Sequence, residues 1–315
     1  MIARKIMIAT AVAGLVLAGC SSSSKSAGSD TTTSTAEAKP IPNVAITAAD
    51  YTFAMPAEIP AGYVNVTLDN TGKESHQIGF VKLGSMTFAQ FKAAADKTNV
   101  KAIKPGTVFL GGPNGADPGQ KTSAIVKLDP GNYAVVCLIP ANSDGKPHAA
   151  HGMVSQVKVV STDASSESAP KADSTITLGD FSFTLPPGFT GKGPVDISNQ
   201  GTQIHELVIV KLSPGKTVDD AKKFFLTPPG TPPPAGPPPF TSIPGIGGIT
   251  GLSPQQHAWL DMNLTPGKYV LICFFPDPQK GDIPHALEGM VKEFTIGGAG
   301  AGAVTTTTVS RIAPS

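Results

Sequence analysis

Apolar and polar positions alternate with period two along most of this chain. Tyr63-Val64-Asn65-Val66-Thr67-Leu68 reads as a strand with one buried face, and Ile78–Leu83 and Ser123–Leu128 follow in kind. An apolar run after Tyr133 leads to Cys137, and Val154–Val160 reads as a closing strand. Ala45-Ile46-Thr47 and Tyr51-Thr52-Phe53 open the series, so a fold is expected from about Val44. Only Thr87–Ala95 departs from this pattern: Phe88 and Phe91, three apart, predict a short helix there.

The same order is written again from Thr175. Ile176-Thr177-Leu178 and Phe181-Ser182-Phe183 open the second copy, Leu207–Leu212 matches Ile78–Leu83, and Val218–Phe225 is its short helix. Gly111-Gly112-x-x-Gly115-x-x-Pro118-x-Gln120 returns as Gly247-Gly248-x-x-Gly251-x-x-Pro254-x-Gln256. A long unit taken twice means tandem domains and not a solenoid. The prediction is an all-β chain of two β-sandwich domains, 44–160 and 175–297, each with a short helix inserted. Ser161–Ser174 reads as a Ser/Ala/Asp linker that lets the domains move independently. Pro228–Pro239 is an extra, exposed polyproline-type loop, and 298–315 is expected to be a disordered tail.

Composition supports this picture. Among 315 residues, 34 Gly and 30 Pro with only 6% aromatics favour short strands and turns over helix bundles. A net charge of +1 excludes a nucleic-acid or polyanion partner as the main function. Residues 1–20 have a charged start at Arg4 and Lys5, an apolar core Ile6–Ala18, and the ending Leu17-Ala18-Gly19-Cys20. That is too short for a spanning helix and reads as a secretion signal. The ending resembles a bacterial lipobox, which implies lipidation at Cys20 and an anchor on the extracytoplasmic face of the cell membrane. An ordinary signal peptide and an uncleaved anchor are the alternatives. Residues 21–43 form a Ser/Thr-rich disordered tether.

The chemistry lies in the most closely repeated stretch. Pro130–Met153 and Pro266–Met290 both run Pro-Gly-x-Tyr, three apolar residues, Cys, a polar loop, Pro-His-Ala and Gly-Met-Val. An earlier polar turn in each copy ends in His76 or His205. Each domain therefore offers one quartet: His76, Cys137, His148 and Met153, then His205, Cys273, His285 and Met290. A thiolate, two imidazoles and a thioether make a soft donor set suited to copper, whereas zinc sites seldom include Met.

At these residues the chain resembles the cupredoxin, or blue copper, family of plastocyanin and azurin. The pattern Asn-x-Gly-x-x-x-His, then Pro-Gly-x-Tyr-x-x-x-Cys, Pro-His and Met is present in both copies, over about 44–160 and 175–296. The resemblance implies Greek-key sandwiches and one type 1 copper per domain, with two His and the Cys in plane and Met as weak axial ligand. Familiar cupredoxins leave only a few residues between Cys and the second His; here ten and eleven intervene. Such a loop either bulges outward with the ligands in register or loosens the site.

Other readings compete. A buried Cys and a packing Met are common without a metal. Cys137 and Cys273 could form an interdomain disulfide, or a Cys could pair with His as a nucleophile, though no orienting third group recurs. His151 aligns with Glu288, and His257 with Lys121; both are expected at the surface. Trp259, the sole Trp, has no counterpart and is assigned to packing. The His-x-His patterns of multicopper oxidases and copper nitrite reductases are absent, as is a second Cys in either loop, which argues against a catalyst. The leading expectation is a one-electron carrier meeting a redox partner or copper donor in the cell envelope, with the loop histidine as the exit. Copper sequestration or delivery, and metal-free interaction domains, are the alternatives.

Overall fold

The computed structural model describes residues 39–97, 99–227, 235–297 and 306–307. Cys20 and the signal segment, most of the tether, Pro228–Pro234 and most of the C-terminal tail lie outside the described residues. No described helix is long and apolar enough to cross a membrane.

The first repeat contains β1 (Asn43–Ala49), β2 (Thr52–Ala54), β3 (Glu58–Pro60), β4 (Gly62–Asn70), β5 (Gly79–Lys82) and α1 (Phe88–Ala95). It continues with β6 (Val108–Phe109), β7 (Lys121–Leu128), β8 (Gly131–Val136) and β9 (Val154–Val160). The second begins with β10 (Ser174–Gly179), β11 (Ser182–Thr184), β12 (Lys192–Asn199), β13 (His205–Leu212) and α2 (Val218–Phe225). After β14 (Phe240–Thr241) come β15 (Gly248–Leu252), β16 (His257–Asn263) and β17 (Gly267–Ile272). The last strands are β18 (Pro276–Asp277), β19 (Ile283–Pro284), β20 (Val291–Ile296) and β21 (Thr306–Thr307). Thr306 and Thr307 pair with Phe294 and Glu293, so part of the expected tail is an edge strand.

Each repeat is a β-sandwich. In the first, β1 lies parallel to β4 and β4 antiparallel to β7, facing a sheet ordered β3-β9-β8-β5-β6. The chain passes from β4 to β5, then β7 to β8, crossing between sheets as a Greek key does. In the second, β10, β12 and β16 face β13, β17 and β20. Alternation does the sorting. Val44, Ile46 and Ala48 of β1 and Val64, Val66 and Leu68 of β4 point inward, while their neighbours, apart from Tyr63, are more exposed. Both helices start on a threonine capping box, Thr87 with Gln90 and Thr217 with Asp220.

The two sandwiches are not separate beads. β7 and β16 pair through Ile125–Trp259 and Val126–Ala258, merging one sheet of each repeat into a single eight-stranded sheet. The two Gly-rich segments cross there. Gly111 N–H donates to the Gly251 carbonyl, Asn114 N–H to Gly248, and Thr250 N–H to Gly112. Gly247 has no room for a side chain, because a Cβ would sit 1.5 Å from the Asn114 carbonyl oxygen. Trp259 is buried in the joint, edge-on to Tyr63 at 5.3 Å. The linker is also docked: Ser166 is buried and its carbonyl accepts the Tyr63 N–H. One hydrophobic core runs through both repeats, and a smaller cluster lies under α2. The independent motion expected of Ser161–Ser174 gives way to a shared sheet, because both repeats keep an open strand edge and closing one on the other satisfies it.

Candidate metal centre

Each quartet is assembled by three local devices. The first is the turn before the inner histidine. Asn70 Nδ2 donates to the carbonyls of Glu74 and Ala116, and its Oδ1 accepts the Gly72 N–H; Asn199 does the same with Gln203, Leu252 and Gly201. A Cβ at Gly72 would lie 2.4 Å from Asp50 Oδ1 and 2.7 Å from His76 Nε2. Gly201 stands equally close to Asp180 and His205. The Asn-x-Gly-x-x-x-His spacing thus staples the turn and leaves space for an Asp–His contact.

The second device is the strand end. Cys137 and Cys273 follow β8 and β17 and are fully buried and free, so no disulfide joins them. The third is a 3₁₀ turn, His148–His151 in one repeat and His285–Glu288 in the other. Gly152 and Gly289 close these turns with φ of 104° and 105°, a left-handed conformation that favours glycine. The reversal lets Met153 N–H reach the His148 carbonyl while the Met153 carbonyl accepts the Cys137 N–H; Met290, His285 and Cys273 repeat this.

As a result His76, Cys137 and His148 place their donor atoms within 4.8 Å of one another, as do His205, Cys273 and His285. All six side chains are buried. His76 Nδ1 and His148 Nδ1 are 3.1 Å apart, and Cys137 Sγ is 3.4 Å from His148 Nδ1. The second site has 3.0 Å and 3.5 Å for the same pairs. Met153 and Met290 are buried and tied to the Cys and outer His of their site through the backbone bonds above.

The outward nitrogens are all engaged. His76 Nε2 faces Asp50 at 3.0 Å, His148 Nε2 faces Glu74 at 3.1 Å, and His205 Nε2 faces Asp180 at 2.9 Å. His285 Nε2 meets Gln203 Oε1 at 3.1 Å. A carboxylate or amide oxygen can only accept, so each ring donates Nε2–H outward and, when neutral, turns a bare Nδ1 lone pair inward. Two such lone pairs 3.1 Å apart, with a sulfur beside them, repel unless a cation sits between. The donor set therefore fits a soft metal ion.

Charge states agree. Burial pushes the Cys137 thiol up to about 12 and the Cys273 thiol above the ordinary range. Burial lowers His148 and His205, and takes His285 down to about 4 with help from the His205 charge. Partial burial raises Asp180, but the His205 ring and the Thr202 hydroxyl and N–H outweigh it and hold it at about 2. At neutral pH the metal-free sites thus hold protonated thiols and neutral outer imidazoles. Uptake of a metal that takes the thiolate should release one proton per site. Affinity should fall tenfold per pH unit of acidification, and more steeply once the histidines become charged. Calorimetry in two buffers of different ionisation enthalpy reads this number directly; release of none would mean the thiols are already ionised.

Neither loop histidine, expected as the exit, is exposed. In the first repeat the Cys-to-His loop is tied to Glu74, and in both repeats an aromatic ring from the turn after the opening strand packs on the outer histidine. Asn142 N–H bonds Glu74 Oε2, Tyr51 lies edge-on to His148 at 4.8 Å, and Phe181 lies edge-on to His285 at 5.2 Å. Sequence reasoning also missed the carboxylates. Asp50-Tyr51-x-Phe53 and Asp180-Phe181-x-Phe183 recur at the head of each repeat, and that recurrence was the available signal. His151 is exposed, paired with Asp144 and stacked on Tyr51, while His257 pairs with Asp196 on β16.

No protein-family model and no curated protein matches this chain. Among solved structures it is similar to a reduced auracyanin of Roseiflexus castenholzii, at 18% identity and TM-score 0.28, covering 39% of this chain and 98% of that one. It is similar to auracyanin A of Chloroflexus aurantiacus, a "blue" copper protein, at 18% identity and TM-score 0.27, over 38% and 99%. A copper-containing nitrite reductase of Thermus scotoductus aligns at 12% identity and TM-score 0.21, over 74% and 58%.

Proposed function

We propose that this is an extracytoplasmic copper protein of two cupredoxin-like sandwiches, holding one mononuclear copper in each and carrying single electrons. The observation that supports the reading is the repeated, buried arrangement of two facing Nδ1 atoms and one Sγ. His76, Cys137, His148 and Met153 would hold one ion, and His205, Cys273, His285 and Met290 the other. Copper would supply a one-electron couple; the chain supplies soft donors, fixed tautomers and a site closed to water. A carrier is preferred to a catalyst because, among the described residues, both metal-type clusters are of this single His-Cys-His kind. The anchor at Cys20, the envelope location and a protein redox partner belong to the same proposal.

The capped histidines favour a second reading, copper storage or delivery, since Tyr51 and Phe181 cover the edge through which a partner would couple. Adding Cu(II) to the protein lacking residues 1–20, with metal quantitation, separates the two. Two coppers per chain with an intense visible thiolate-to-copper band and reversible reduction support the carrier. Tight binding without the band or reversible redox supports storage, and no uptake would refute both.

A further inference from the structure

The two sites share every donor but differ in the group on the outer histidine. Glu74 and Gln203 occupy the same place, two residues before the inner histidine, and each touches the outward nitrogen of the outer histidine at 3.1 Å. Glu74 is anchored by the Asn142 N–H and the Tyr51 hydroxyl, both at 2.9 Å. In the second repeat Phe181 replaces Tyr51 and has no hydroxyl to offer. There the Asp277 carboxylate lies near Gln203 and stands where the first repeat has Ala141. Site one therefore sets a carboxylate directly on its outer ring, whereas site two sets it one amide further away.

We propose that Glu74 and Gln203 make the two metal sites inequivalent: Glu74 as an anionic partner that strengthens His148 as a donor, Gln203 as a neutral spacer on His285. This rests on the copper reading. A carboxylate accepting Nε2–H pushes electron density into the imidazole and adds a negative charge beside a buried ion, which favours Cu(II) over Cu(I). The inner histidines cannot provide the difference, because Asp50 and Asp180 sit on them alike. Glu206, where the first repeat has Gln77, is a real second asymmetry. It acts on another ligand: its backbone N–H reaches Cys273 Sγ at 3.4 Å, and its carboxylate takes the Phe274 N–H. Each comparison must therefore hold Glu206 constant. Both Glu74 and Gln203 are positioning residues, acting through a histidine.

The test uses single-site proteins loaded with Cu(II) and titrated spectroelectrochemically at one pH. In a Cys273→Ser background, Glu74→Gln is expected to shift the Cu(II)/Cu(I) ratio about tenfold toward Cu(I), which is 59 mV for one electron. In a Cys137→Ser background, Gln203→Glu should shift it by a similar factor the other way. If Glu74 only clamps the loop, both variants lose stability and leave the potentials where they were, which overturns the inference while copper binding stands. Parents that take up no copper overturn the copper reading and the inference together.

Discussion

Serine at both Cys137 and Cys273 is expected to abolish the visible copper band, and serine at either one to halve it. Each site holds a single sulfur that can carry negative charge, and the thioether of Met153 or Met290 cannot replace it. The fold should tolerate the change. Cys137 Sγ lies 3.4 Å from His148 Nδ1, so a serine hydroxyl in the same buried place keeps that ring nitrogen as a partner. The cost is thus limited to roughly 1 kcal/mol, the range for a buried group that keeps a partner. Absorption and metal quantitation on the three variants, with circular dichroism as the fold check, settle it. A double variant with the full band would mean that the thiolates are not the ligands. A wild type indifferent to copper in stability, with variants no different, would instead support metal-free interaction domains.

Alanine at Gly247 should destabilise the whole chain by ~3 kcal/mol or more. The intruding Cβ meets the backbone oxygen of Asn114 at 1.5 Å, so no side-chain rotation relieves it and the two repeats must part. Parting breaks the crossed bonds Gly111–Gly251, Asn114–Gly248 and Thr250–Gly112 and opens the β7–β16 pairing. Gly215→Ala is the control. Its φ of 76° is left-handed, unlike that of Gly247, and nothing lies within 4 Å, so only a conformational cost of roughly 1–2 kcal/mol applies there. Urea unfolding can be followed by circular dichroism and by Trp259 fluorescence, which reports on the joint itself. The wild type is expected to show coincident transitions, because one core runs through both repeats. Separate transitions in the wild type, or a Gly247→Ala protein no weaker than the control, would show that the joint contributes little.

The joint also bears on how the sites communicate. Thr250 Oγ1 donates to the Ile78 carbonyl at 3.0 Å, two residues from His76, and Leu252, which pairs with His205 inside its own repeat, also bridges to Leu110 of the first. Asn114 of the first repeat lies within 3.4 Å of Glu206 beside Cys273. Backbone and side chain of one repeat thus reach the residues next to the ligands of the other.

Much of this was legible in the residues. Period-two alternation placed β4, β7 and β9, because a strand with one buried face must alternate whatever its neighbours are. The Phe88/Phe91 spacing placed α1, and the threonine caps at Thr87 and Thr217 explain why both helices begin where they do. Repetition of His, Cys, His and Met exposed the candidate ligands, since a donor set leaves the same residue types at the same spacing in both copies. What the linear pattern could not contain is contact between distant segments. Asp50 reaches His76, Glu74 reaches His148 and Gln203 reaches His285 only after the turn, loop and strand ends have been packed together. Burial of the loop histidines, the crossing of the Gly-rich segments and the closing of two sheets into one are likewise decided by packing. Local order follows from short-range periodicity; tautomer, exposure and charge at a ligand depend on which remote group lies beside it.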